Sequence, residues 1–160
     1  MEGTEFDEVA FFRCIGESGA RALVIGRRAL VALGLPVLTA DYDFWLHPED
    51  IDPFNAAALP FGLVPSHTPD EARNRGRYVL ENDEHVDVIV GRSVTTVDGQ
   101  KILLEDLWTR RISLPLSPDA SLAIPCLEDL IATKRFGRRP KDLEDIRLLL
   151  ALREEGGRAP

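Results

Sequence analysis

The sequence predicts an α+β fold: a mixed β-sheet flanked by helices. Three observations predict it. Short apolar runs of strand length alternate along the chain with amphipathic stretches of helical period. Two turn signals, Asn82-Asp83-Glu84 and Asp98-Gly99, join neighbouring strand candidates as hairpins. A last stretch carries Leu143, Ile146, Leu149 and Leu150 at helical spacing, as a helix covering a sheet would. A chain of 160 residues is most simply one domain, expected over 1–155 with a flexible tail over 156–160.

Each element has its own warrant. Glu5 to Ile15 places Phe6, Val9, Ala10 and Phe12 in a helical pattern, and Gly16 and Gly19 stop it. Ala22 to Ile25 is a short apolar run, expected as a buried strand. Gly26 ends it, and Arg27 to Leu33 follows as a short helix closed by Gly34. Leu35-Pro36 is a turn, and Val37 to Leu46 is expected as a second strand. Pro48, Glu49 and Asp50 suit the first turn of a helix running to Leu59, where Pro60 stops it. Phe61 to Pro65 reads as a short strand, and Ser66 to Arg75 as a loop or a short helical turn. Arg77 to Glu81 and His85 to Val90 read as paired strands around the Asn82 turn. Val94 to Leu104 folds over Asp98-Gly99, and Leu104 to Thr109 forms a helical turn. Ser121 to Ile124 is a strand. Pro125 opens a helix from Cys126 to Phe136, Gly137 breaks it, and the last helix spans Pro140 to Arg153.

Composition narrows the function classes. Apolar residues make up 44% and charged residues 29%, ordinary for a soluble protein. The net charge of −8 argues against broad binding to nucleic acid or anionic membrane, while leaving room for a local basic pocket. No apolar run reaches membrane-spanning length, and MEGTEFDEV lacks the features of a signal peptide. Cys14 and Cys126 lie far apart, as two small core residues of a reduced, cytoplasmic protein would.

Three carboxylates carry the candidate chemistry. Asp41 and Asp43 are two apart on a strand, so they project together while Tyr42 and Phe44 face the other way. Such a pair repels unless a positive group sits between them, and oxygen ligands of this kind suit magnesium. Asp87 interrupts the apolar strand HVDVIV, where a buried carboxylate needs a partner such as a shared metal. The plainer alternative is that Asp87 faces solvent on an edge strand and that Asp41 and Asp43 cap theirs.

A basic group stands out from the acidic background. Lys134, Arg135, Arg138, Arg139 and Lys141 cluster near the end of the chain. Lys134 shares a helical face with Leu130 and Ile131, so it reaches either a cleft or a charged surface. Clustered Lys and Arg match phosphate groups; alternatively Arg138, Arg139 and Lys141 pair with Asp142, Glu144 or Asp145. Gly26, with Arg27 and Arg28 behind it, opens a helix whose backbone N–H groups can meet an anion. His47, His67 and His85 show no metal-ligand spacing and read as ordinary surface residues, and neither cysteine has an activating neighbour.

Together these residues resemble the nucleotidyltransferase fold of the DNA polymerase beta superfamily. That family shows an apolar residue, Gly, then Gly or Ser, a short gap, and Asp-x-Asp flanked by apolar residues. Here the pieces are Ile25-Gly26-Arg27, a gap over 28–40, and Asp41-Tyr42-Asp43-Phe44. His85-Val86-Asp87-Val88-Ile89 looks like the segment bearing the third carboxylate. The run IPCLEDLIATKRFGRRPKDLEDIRLL is similar to a segment of small bacterial AbiEii-like toxin–antitoxin nucleotidyltransferases, with Lys134, Asp142 and Asp145 at the matching positions. Arg27 departs from the pattern: a bulky cation there either binds phosphate or obstructs the pocket.

The resemblance implies magnesium-dependent transfer of an NMP from an NTP to an acceptor hydroxyl on RNA, protein or a small molecule. It implies Asp41, Asp43 and Asp87 as metal ligands, Gly26, Arg27, Arg28 and Lys134 as nucleotide-binding residues, and Asp142 as an orienting residue. A tRNA could lie along arginines 110, 111, 138 and 139, and a toxin–antitoxin partner protein is a further implied partner. Two other readings stay open: a catalytically inactive nucleotide-binding module, and a metal-dependent phosphodiesterase.

Overall fold

The computed structural model describes residues 6–137 and 139–157. The first helix, α1, is Glu8–Glu17, capped by the Asp7 carboxylate, which accepts from the Ala10 N–H at 3.0 Å. It ends two residues later than expected, and the expected start at Glu5 lies outside the described residues. Strand β1 is Ala22–Ile25, as predicted, and α2 follows as Gly26–Ala32. Strand β2 is Asp41–Leu46, shorter than the expected Val37–Leu46. The approach to it is a turn: Pro36 has no N–H to give a ladder, and the Val37 N–H is spent on Leu35 O at 2.9 Å.

A 3₁₀ turn at Pro48–Asp50 leads into α3, Ile51–Ala58. Pro60 does not stop the chain alone, since a second 3₁₀ turn, Leu59–Phe61, runs through it to Gly62. Only Val64–Pro65 forms β3. The stretch expected as loop or turn contains a helix, α4, Pro69–Arg75. A capping box made by Thr68 and Glu71 starts it, with bonds of 3.2 and 2.9 Å. Strands β4 (Arg77–Glu81) and β5 (His85–Val90) form the predicted hairpin.

A small hairpin, β6 (Ser93–Thr95) and β7 (Lys101–Leu103), precedes α5, Leu104–Thr109. Strand β8, Ile112–Ser117, was not expected; it pairs with β9, Ala120–Ile124, through a register shift beside Pro115. Helix α6 is Leu127–Thr133, continued by a 3₁₀ turn over Lys134–Phe136. The last helix, α7, runs from Pro140 to Gly157, past the expected end at Arg153. Residues 158–160 of the expected tail lie outside the described residues.

The main sheet has strand order β1-β2-β5-β4-β3. β2 pairs antiparallel with β1 and parallel with β5, so the sheet is mixed. Its alternation divides it into two faces. Ala22, Val24, Tyr42, Phe44, Leu46, Val86, Val88 and Val90 belong to the main core with α1 and α3. The opposite face is divided along its length. At one end Leu23, Ile25 and Trp45 pack with Ile102, Leu104 and Leu107, and at the other stand the carboxylates.

Phe11 is fully buried and touches the rings of Phe6, Phe12, Tyr42, Phe44 and Phe61 at centroid distances of 5.3 to 6.1 Å. It holds α1 against the back of the strand that carries Asp41 and Asp43. Phe11→Ala should destabilise the protein by about 3–5 kcal/mol in urea denaturation.

Candidate active site

The register of three strands assembles the centre of the site. Asp43 stands opposite Ile25 on β1 and opposite Asp87 on β5. Asp41, two residues earlier on the same face, stands opposite His85. They open onto a cavity of about 360 Å³ whose walls include Gly26, Arg27, Thr39, Asp41, Asp43 and Asp87. Across from them, Thr133, Lys134, Phe136, Arg139, Lys141 and Asp142 supply a wall from the end of α6 and the start of α7. Among the sequence-derived candidates, Gly26, Arg27, Asp41, Asp43, Asp87, Lys134 and Asp142 therefore meet at one cavity.

Gly26 is fixed by two constraints. Its φ is +68°, which disfavours any residue with a Cβ. A Cβ would also collide with Asp43 Oδ2 and lie 3.0 Å from the Asp43 Cβ and Cγ. The glycine lets the β1–α2 turn lie directly against that carboxylate.

Asp41 and Asp43 have no hydrogen bond or ion pair to their carboxylates among the described residues. Burial, then repulsion from Asp87 and Asp41, holds the Asp43 carboxyl above its ordinary pKa, and Lys134 and Lys141 only partly offset this. Such a group is improved by an added cation. Asp87 differs. β5 lies between β2 and β4, so Asp87 is not on an edge strand, and its side chain is only 23% exposed. Nor does it lack partners within the chain. Arg77 Nη2 lies 3.0 Å from its Oδ1, and His85 Nε2 lies 3.0 Å from its Oδ2. His85 in turn meets Glu81 at 2.9 Å, and that hydrogen bond, against the opposing effect of burial, is the main cause of a raised imidazole pKa. His85 is thus a neighbour of the site rather than an ordinary surface residue.

The basic residues also find their places. Lys134 is buried, and its Nζ donates to Asp145 Oδ2 at 2.7 Å. Arg27 Nε donates to the same oxygen at 3.2 Å. Arg27 Nη2 lies 3.2 Å from Asp145 Oδ1, out of line for a hydrogen bond, so among the described residues this fully buried oxygen has an ionic contact alone. Arg27 therefore lines the cavity with its guanidinium drawn onto α7. Asp142 is not the partner of Lys134. It accepts from the Arg139 backbone N–H at 3.2 Å and from its guanidinium at 3.0 and 3.1 Å, capping α7. Burial pushes its pKa up, but these Arg139 bonds outweigh that and hold the carboxyl below its ordinary value.

Some expected residues stay outside. Arg28 does not line the cavity. It lies 4.1 Å over the Tyr42 ring and donates to Asp41 O at 3.3 Å, so it braces the strand. Arg110 forks onto Asp129 at 2.9 and 3.0 Å, and Arg111 lies 3.9 Å over the Trp108 ring. Arg138 lies outside the described residues. Cys14 and Cys126 are half-buried rather than core, and neither lines the cavity.

Arg77 was missed from the sequence, yet the hairpin register contains it. A turn at 82–84 pairs Val79 with Asp87 and Arg77 with Ile89, which puts Arg77 on the carboxylate face. Phe136 was missed too; its ring meets Trp45 edge-on at 5.6 Å, an arrangement only tertiary packing creates.

No family model and no curated protein matches the chain. Solved structures do. TM1012 of Thermotoga maritima, assigned as a nucleotidyltransferase, is 15% identical over 93% of this chain and 89% of its own, with a TM-score of 0.56. The antibiotic-resistance factor ANT(2'')-Ia in solution is 15% identical over 89% of this chain and 80% of its own, with a TM-score of 0.59. The crystal structure of ANT(2'')-Ia in complex with adenylyl-2''-tobramycin gives 15% over 89% and 84%, with a TM-score of 0.60. The chain has the nucleotidyltransferase fold.

Two outcomes follow from the electrostatics. Asp145→Ala leaves Lys134 buried without its partner, and should cost about 3–5 kcal/mol in chemical denaturation. Lys134→Met in the same background should recover part of that loss. For Asp43 the folded pKa lies above the unfolded one, so the native state keeps its proton to higher pH. Stability is therefore lost as pH rises from the unfolded carboxyl range through the raised value. Asp43→Asn should raise Tm near neutral pH and leave it unchanged below about pH 3, where both states are protonated.

Proposed function

We propose that this protein transfers a nucleotidyl group from an NTP to an acceptor hydroxyl and releases pyrophosphate. The observation that carries the reading is the Asp41–Asp43 pair, its carboxylates unpartnered among the described residues and Asp43 seated against Gly26, in a cavity of a nucleotidyltransferase fold. The donor set fits magnesium at two carboxylates, with Asp87 adjacent but engaged by Arg77 and His85. Among the described residues no three His, Cys, Asp or Glu groups stand in ligating geometry as they are. When bound, magnesium supplies charge neutralisation at the phosphates.

The chain's own residues then have these roles. Asp41 and Asp43 would hold the cation with the triphosphate, and the backbone after Gly26 would meet the β- and γ-phosphates. Lys134 and Arg27, held on Asp145, are two cations of the cavity wall suited to phosphate oxygens. The acceptor oxygen attacks the α-phosphorus, the bond to the α,β-bridging oxygen breaks, and Asp87 takes the hydroxyl proton. Asp142 acts indirectly, by capping α7 and fixing Arg139 at the cavity wall.

Two observations favour a second reading, a nucleotide-binding module without turnover, such as a component of a toxin–antitoxin pair. Arg27 stands beside the cavity where a small residue would leave more room, and both Asp87 oxygens are already bonded.

The test incubates each α-labelled NTP and magnesium with total RNA, including tRNA, with cell protein and with small hydroxyl compounds. Transfer should be seen, and Asp41→Ala should reduce it by more than about 100-fold. NTP binding in calorimetry without transfer to any acceptor would favour the module. Equal transfer by the Asp41→Ala protein would sink the enzymatic reading.

A further inference from the structure

The charges around the cavity are paired unequally. Beyond Asp41 and Asp43, the acids among its described lining residues are Asp87 and Asp142. Both are neutralised within the chain: Asp87 by Arg77 and His85, Asp142 by Arg139. The cations keep spare capacity. Arg77 uses one N–H on Asp87, and its side chain is 65% exposed. Arg139 is equally exposed, and among the described residues its remaining guanidinium N–H groups have no hydrogen-bond partner. Lys141 is exposed and has no hydrogen bond or ion pair among the described residues. Once the carboxylate pair is occupied, an entering molecule meets free N–H donors and no free carboxylate.

We infer that the acceptor is an anionic hydroxyl compound, one carrying a phosphate or carboxylate near the reacting hydroxyl, and not a polycation. This rests on the transfer reaction proposed above. The placement is specific: Arg77 donates to Asp87, the residue that would take the acceptor proton, so an anion on Arg77 brings its own hydroxyl beside that carboxylate. The ammonium groups of an amino sugar would find no unpaired acid in the same wall and would meet Arg77, Arg139 and Lys141 instead. The net charge of −8 favours a small anion over an extended polyanion, because the chain as a whole repels one. The acceptor class therefore differs from the tobramycin adduct seen on ANT(2'')-Ia.

The test supplies magnesium and labelled NTP with two acceptor sets. One holds glycerol 3-phosphate, ribose 5-phosphate, AMP and glycerate; the other holds tobramycin, glucosamine and uncharged glycerol. Label should appear on a member of the anionic set and not on the second set. For that acceptor, Arg77→Gln should raise KM about tenfold with a smaller change in kcat, and Arg77→Lys should restore part of the loss. Lys141→Gln, which leaves Asp87 and its partners untouched, should also raise KM. Both side chains are exposed, so folding is not at risk. Transfer to tobramycin, glucosamine or glycerol in preference to the anions overturns the inference, as does a KM insensitive to both substitutions. If Asp41-dependent release of NMP and pyrophosphate is seen without any labelled acceptor, calorimetry with glycerol 3-phosphate and with tobramycin on the NTP-bound protein decides. Binding of the phosphate compound alone supports the inference, and any other result overturns it. Absence of NTP turnover altogether removes the proposed reaction and the acceptor class with it.

Discussion

Asp43 and Asp87 face each other across a parallel strand pair, and like charges at that spacing must be compensated. The protein treats the two differently. Asp87 is compensated from within, by Arg77 and His85. Asp43 is only partly compensated, and burial together with Asp87 and Asp41 keeps its carboxyl hard to ionise against the glycine. The surrounding structure holds that unfavourable arrangement in place. The back of β2 is anchored by Tyr42 and Phe44 in the aromatic core, and Trp45 fixes the far end through a 2.9 Å bond from Nε1 to Gly91 O. A folded chain that tolerates such repulsion keeps a ready place for a cation.

The second wall depends on one buried carboxylate. Asp145 draws together Lys134 from the turn after α6 and Arg27 from α2, so three separate elements meet on a single side chain. Ion pairs this deep add little net stability, because desolvation offsets the attraction. Their effect is positional. They keep two cations at the edge of the cavity rather than dispersed in solvent, in a protein of net charge −8.

Much of this was legible in the sequence, for definite reasons. Strand alternation alone sets Asp41 with Asp43 and Asp87 with Ile89, and β1, β4, β5 and α5 have the predicted bounds. The mixed sheet follows from interleaved strands and hairpins. What could not be read depended on tertiary partners. Asp142 and Asp145 are three apart on one helix, and spacing cannot tell which caps the helix and which receives Lys134. β8 was hidden by its proline, and α4 by its polar composition despite a capping box. Arg28 was assigned to phosphate by proximity in sequence, whereas the Tyr42 ring offered it a nearer surface.

The two walls of the cavity come from distant stretches of the chain. The strands bearing Asp41, Asp43 and Asp87 are synthesised before Lys134 and Asp145. A nascent chain can thus complete the acidic floor while still lacking the basic wall that α6 and α7 supply. The cavity would then be closed in a single late step of synthesis, when α6 and α7 bring in its second wall.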